Sequence, residues 1–146
     1  MLEFIFETTR SVTNLILQGV PDRYPNIRFI VPHAGAALPV LAGRIELLLP
    51  MLSAPNEKTP PCVRSALLKL HYDLAGAPVP EFLGALLKVA DPSRILYGSD
   101  FPFTPLAVCE LLRDELVNSR ELDETSRAQI LAGNARRLLC RPPRST

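Results

Sequence analysis

Two side chains in this sequence stand where a parallel sheet delivers its chemistry. The first is Asp100. Arg94-Ile95-Leu96-Tyr97 suits a short buried strand, Gly98 and Ser99 break it, a carboxylate follows, and Pro102 stops the strand from extending. In parallel α/β sheets and barrels, catalytic groups sit just beyond the carboxyl ends of strands. An aspartate here can equally cap the next helix or fix a turn. The second is His33. The β-branched and aromatic run Ile27-Arg28-Phe29-Ile30-Val31 reads as a strand, Pro32 closes it, and His33 comes next. An imidazole titrates near neutral pH and suits catalysis, although a lone histidine can also be structural. Ala34, Gly35, Ala36 and Ala37 follow, small enough for the backbone to approach a ligand or a neighbouring strand. The shared pattern of strand, breaker and reactive side chain strengthens both readings.

The elements that position these residues follow from periodicity and breakers. Ile5, the Thr8/Thr9 pair, Val12, Leu15 and Ile16 recur at helical spacing, so residues 2–18 form an amphipathic helix ended by Gly19. Pro21, Asp22 and Pro25 make a turn-rich connection to the 27–31 strand. Leu38, Leu41, Ile45, Leu48 and Leu49 predict a helix over 36–49, which Pro50 ends. Residues 53–61 are a loop by composition, and 62–69 form a short helix. Residues 70–74 alternate and read as a strand. Pro80 opens a helix that buries Phe82, Leu83, Leu86, Leu87 and Ala90. After the 94–97 strand, a helix over 105–117 uses Val108, Leu111, Leu112 and Leu116. Asp123 caps a last helix with Ile130, Leu131, Ala135 and Leu138 on its apolar face. Residues 141–146 are a frayed tail.

Helices alternating with strands require a parallel sheet with helices outside it. Three strands are too few for a closed barrel, which takes eight strands and about 250 residues. The first element is a helix, so the chain reads as starting partway through a longer repeat of βα units.

Composition excludes several functions. The 146 residues are 47% hydrophobic, enough for one domain with a real core. Sixteen Lys and Arg against fifteen Asp and Glu leave no basic footprint for nucleic acid and no charged tail. The amino terminus is apolar, but Glu3, Glu7 and Arg10 interrupt it as a secretory signal. Later apolar runs are broken by Pro, Arg or Glu, so no membrane span is expected. Cys62, Cys109 and Cys140 are odd in number and widely spaced, which implies neither a disulfide framework nor a Cys-x-x-Cys zinc site. A reducing, cytoplasmic setting fits.

Three motifs, in order, carry a resemblance. Arg23-Tyr24-Pro25-Asn26-Ile27-Arg28-Phe29-Ile30-Val31-Pro32-His33-Ala34-Gly35 resembles the histidine segment of the amidohydrolase-related family, which includes aminocarboxymuconate-semialdehyde decarboxylases and salicylate- and resorcylate-type decarboxylases. Tyr97-Gly98-Ser99-Asp100-Phe101-Pro102-Phe103 resembles its metal-aspartate segment, and Gly133-Asn134-Ala135-Arg136-Arg137-Leu138 its terminal-helix signature. The resemblance implies the carboxyl-terminal portion of a (β/α)8 barrel with a divalent metal, expected to be zinc, at the carboxyl face. It implies that His33 is the catalytic histidine, Asp100 a metal ligand and Phe103 a substrate neighbour. Tyr72 and Asp73 match the seventh-strand segment, where structure is expected more than chemistry.

A metal ion at such a site lowers the pKa of bound water or polarises a substrate oxygen, and a nearby imidazole manages the proton. The same parts serve decarboxylation or hydrolysis of a small carboxylic acid, and the motifs favour decarboxylation. The chain departs from the pattern in one respect. It has two histidines in all and lacks the family's His-x-His pair and further histidine, so His33 and Asp100 cannot supply three or four protein ligands. It therefore reads as a gene fragment, a chain started at an internal methionine, or a truncated relative. The alternative is a non-catalytic barrel remnant that covers its strand edges by forming a homo-oligomer.

Overall fold

A computed structural model describes residues 2–52 and 61–140. The expected tail at 141–146, and all but the last residue of the expected 53–61 loop, lie outside the described residues. Three short parallel strands, β1 (Ile30–Val31), β2 (His71–Asp73) and β3 (Ile95–Leu96), form one sheet in the order β1-β2-β3. Ile30 is opposite His71, Val31 opposite Tyr72, Tyr72 opposite Ile95, and Asp73 opposite Leu96. Residues in register share a face, so Val31, Tyr72 and Ile95 form one row, and all three are buried. Ile30, His71, Asp73 and Leu96 lie on the opposite face.

The helices are α1 (Leu2–Leu17), α2 (Val20–Arg23), α3 (Leu38–Leu52), α4 (Val63–Leu67), α5 (Glu81–Leu86), α6 (Leu106–Asn118), α7 (Glu124–Ala128) and α8 (Asn134–Leu139). Thr9, Val12 and Ile16 turn one face of α1 inward, and Gly19 ends the helical run in the left-handed conformation at φ 65°. As expected, Asp123 caps α7, its Oδ1 accepting the Ser126 N–H at 2.7 Å. A π-helical turn, Gln129–Gly133, joins α7 to α8.

Several expectations need correction. The 27–31 strand contracts to two residues, because Ile27 N–H is turned back to the Tyr24 carbonyl at 3.0 Å and only Phe29 O and its successors reach β2. Pro50 does not end α3, which runs to Leu52. An exposed proline near the carboxyl terminus forfeits one i→i−4 bond in a turn that is already fraying. The inward face of α6 is Cys109 and Leu116, whereas Val108 and Leu111 are exposed. The Cys109 thiol sets that rotation, donating to Ser99 O at 3.1 Å and Thr104 O at 3.3 Å.

The segment His33–Met51 is long and apolar enough, by length and composition alone, to cross a membrane, contrary to the expectation that no run is. Its α-helical part, α3, has 15 residues. At 1.5 Å per residue that covers about 22 Å, short of the roughly 30 Å hydrocarbon layer. Leu38 and Ala42 are buried in the core, while Val40, Leu47 and Met51 are exposed.

An open sheet was expected to leave its edges unpaired. The β3 edge is instead capped: Tyr97 N–H donates to Ile130 O at 3.0 Å, and the Asn134 amide donates to Ile95 O at 2.7 Å and Pro92 O at 2.9 Å. Leu74 N–H takes the Leu96 carbonyl on the inner side. The terminal-helix signature thus works structurally, with Asn134 2% exposed.

Candidate active site

Both predicted functional residues sit at carboxyl ends of strands in a backbone conformation that side chains disfavour. His33 has φ 55° and Asp100 has φ 64°; the other described non-glycine residues with positive φ are Ala34 and Ala36, beside His33. Each such residue costs on the order of 1–3 kcal/mol and persists only where surrounding contacts hold it. Those contacts are visible. After β1 the chain enters a tight turn, His33–Gly35, closed by Gly35 N–H to Pro32 O at 3.1 Å and Ala36 N–H to His33 O at 2.8 Å. Ala34 and Ala36 are fully packed. A side chain at Gly35 would lie 3.1 Å from the Tyr72 ring, so the small residues allow approach to a neighbouring strand. The Thr9 hydroxyl on α1 accepts the Ala37 N–H at 3.1 Å and anchors the exit of the turn.

Asp73, at the end of β2, joins the two flanking strand ends. Its Oδ1 accepts the His33 N–H at 3.2 Å and the Ala75 N–H at 3.0 Å. Its Cβ lies 3.2 Å from where a side chain at Gly98 would begin, so the backbone after β3 rests against it. Gly76, with φ +73°, faces the His33 ring, where an added Cβ would come within 3.2 Å of Cδ2. Asp100 holds its own turn, as the structural alternative foresaw. Its Oδ2 accepts the Thr104 hydroxyl at 2.7 Å, and its carbonyl accepts the Thr104 N–H at 2.9 Å. Cys109 clamps that turn through the carbonyls of Ser99 and Thr104.

His33, Asp100 and Phe103 line one cavity of about 730 Å³, with Gly76, Phe82 and Thr104 on its walls and Leu2, Phe4 and Ile5 of α1 at its rim. Phe103 is 90% exposed, so it stands at the mouth. The buried Nδ1 of His33 has no hydrogen-bond partner among the described residues. An imidazole nitrogen and a carboxylate oxygen are suitable metal donors. Among the described residues, however, no group of three His, Cys, Asp or Glu could hold a metal ion. The two donors fit part of a metal site and do not complete one.

The sequence reading missed Thr104, Cys109 and Gly76, and it gave Asp73 a structural place that its two backbone hydrogen bonds fill. Asp73 carried a signal, since a carboxylate stands near the end of the 70–74 strand, just before Ala75 and Gly76. Thr104 and Cys109 carried none, because their partners are carbonyls and a carboxylate brought near by the turn.

The amidohydrolase family model matches residues 4–141. A 6-methylsalicylic acid decarboxylase of Penicillium expansum is 31% identical over 142 residues, 97% of this chain and 43% of that protein. A solved amidohydrolase II structure superposes with a TM-score of 0.85 at 33% identity, covering 96% of this chain and 44% of that one. A dihydroxybenzoic acid decarboxylase from Polaromonas, solved with manganese and the inhibitor 2-nitroresorcinol, has a TM-score of 0.72 at 22% identity, covering 94% and 40%. The chain thus spans less than half the length of these relatives. Its three parallel strands and flanking helices correspond to part of the (β/α)8 barrel of these relatives, with His33 and Asp100 beyond the carboxyl ends of β1 and β3. By its fold and by a match along nearly its whole length, the chain belongs to the amidohydrolase family.

Proposed function

We propose that this chain is the carboxyl-terminal portion of a metal-dependent carboxy-lyase acting on a small aromatic carboxylic acid. The observation that carries the reading is the convergence of His33 and Asp100, each on a strained strand end, on one cavity. The decarboxylase relatives support carboxy-lyase chemistry over hydrolysis. In this reading Asp100 is one ligand of a divalent ion, taken to be zinc, whose remaining ligands lie outside the described residues. His33 places the proton on the ring carbon as the bond to the departing carbon dioxide breaks. Phe103 covers the ring of the bound acid at the mouth. The free thiols Cys62, Cys109 and Cys140 suit a reducing, cytoplasmic setting.

The experiment loads the full chain with Zn2+ or Mn2+, desalts it, and measures retained metal and carbon dioxide released from 6-methylsalicylate, for wild type and Asp100→Ala. Because the described residues do not complete a site, the reading expects any retained metal to depend on Asp100, with the further ligands supplied from elsewhere. Metal retention or carbon dioxide release that survives Asp100→Ala would sink it. A folded chain that retains no metal and releases no carbon dioxide would favour a second reading, a non-catalytic module that self-associates. The exposed Leu2 and Phe4 on α1, with Val40 and Leu47 on α3, support this alternative.

A further inference from the structure

At the opposite, amino-terminal end of the sheet lies a second cavity, of about 320 Å³, with a different character. Arg28 precedes β1, His71 opens β2, Arg94 precedes β3, and Arg137 and Asn134 come from α8; all five line it. The one acid in its wall is Asp91, whose Oδ1 accepts the Ser93 N–H at 2.9 Å and whose Oδ2 lies 3.9 Å from Arg94 Nε. Three guanidiniums against one carboxylate leave the cavity positive. Each is partly engaged by protein: Arg28 with Leu138 O, Arg94 with Lys69 O at 3.0 Å, and Arg137 with Gln129 Oε1 and Asn134 Oδ1. An arginine presents five N–H donors in a planar fork, so every one retains donors for an oxyanion. His71 is 7% exposed, and its buried Nδ1 has no hydrogen-bond partner among the described residues.

We propose that this cavity binds a phosphoryl oxyanion, as free phosphate or a small phosphomonoester, held by Arg28, Arg94 and Arg137 with the His71 imidazole completing the set. A phosphoryl group suits the site because its oxygens can face guanidiniums arriving from three separate elements. The volume admits the group with a small ester substituent. Burial, then Arg94 and Arg28, hold the His71 pKa below its ordinary value, and Asp91 opposes them weakly. A bound anion offsets the guanidinium charge and lets His71 protonate and donate.

The chain has two histidines, one at each end of the sheet, so it contains its own control. The experiment follows both imidazoles by NMR through a pH titration in inorganic phosphate, in glycerol phosphate, and in sodium chloride at equal ionic strength. His71→Gln identifies the signal. The expected result is an upward shift of the His71 midpoint by about one pH unit in either phosphoryl probe, with His33 unmoved. The shift is lost in Arg28→Gln and Arg137→Gln. The tighter of the two probes identifies the source. Equal shifts of both histidines, a shift of His33 alone, or the same His71 shift in chloride overturns the proposal. The comparison within the wild-type chain decides the matter even if a variant folds poorly.

Discussion

Replacing Asn134 tests whether one side chain closes the β3 edge. Asn134 is 2% exposed, and its Nδ2 donates both protons, to Ile95 O at 2.7 Å and to Pro92 O at 2.9 Å. Asn134→Ala removes both bonds and strands the carbonyl of buried Ile95, whereas the carbonyl of exposed Pro92 can turn to water. Each lost bond is worth about 0.5–1.5 kcal/mol net, and a stranded buried acceptor about 1–3 kcal/mol. Allowing for partial relaxation, the loss should be about 2–4 kcal/mol, a large share of the roughly 5–15 kcal/mol that holds a domain together. Asn134→Asp keeps the shape and the Oδ1 contact with the Arg137 guanidinium but makes the group acceptor-only, with its other oxygen aimed at two acceptors. At pH 7 it should therefore also fall below wild type, with the guanidinium offsetting part of the cost of the carboxylate. Urea unfolding followed by far-UV circular dichroism at pH 7 measures both effects. An alanine loss below about 0.5 kcal/mol, or an aspartate variant as stable as wild type, refutes the capping argument.

Tyr72 is fully buried, donates its hydroxyl to Leu67 O at 2.8 Å, and has a pKa pushed well above 10 by burial. A raised folded-state pKa means that its stabilisation is intact below pH 10 and fades as pH rises beyond it; Tyr72→Phe should flatten that alkaline decline in denaturation midpoints while costing about 1 kcal/mol at pH 7. Gly35→Ala forces a Cβ to within 3.1 Å of the Tyr72 ring at a φ of +81°. It should lower stability by about 1–3 kcal/mol in urea titrations, and a neutral result would mean that the His33 turn is looser than its contacts suggest.

Much of the architecture was legible in the sequence because it depends on local signals. Apolar periodicity located the helices, Asp123 announced a cap, Gly19 announced a stop, and two apolar runs ending in breakers placed His33 and Asp100. The failures are those of context. Whether residues 27–29 join the sheet depends on a turn formed with Tyr24, and whether α6 turns Val108 or Cys109 inward depends on carbonyls of the Asp100 turn. Neither is visible in a hydrophobic pattern. The capping of β3 was unreadable for the same reason, since Asn134 lies 39 residues from Ile95. A motif recognised as a family signature said that Asn134 matters, and only the hydrogen bonds say how.

The backbone of the site supplies a functional argument that does not depend on resemblance. A sequence selected for stability alone favours glycine at positive φ, because a Cβ there crowds the backbone, although asparagine, aspartate and histidine tolerate it better than alanine. This chain places histidine and aspartate at two such positions, with alanines filling the two beside His33. The surrounding hydrogen bonds from Asp73, Thr9, Thr104 and Cys109 are spent on these two turns. They hold both side chains on the cavity before any ligand arrives, which is the preorganisation that proton transfer and ligand binding require. At the other end of the sheet the backbone is ordinary and the anomaly is one of charge, with three guanidiniums around a buried imidazole. Strain at one end and unbalanced charge at the other are different physical signatures, and they mark two sites that can be tested independently.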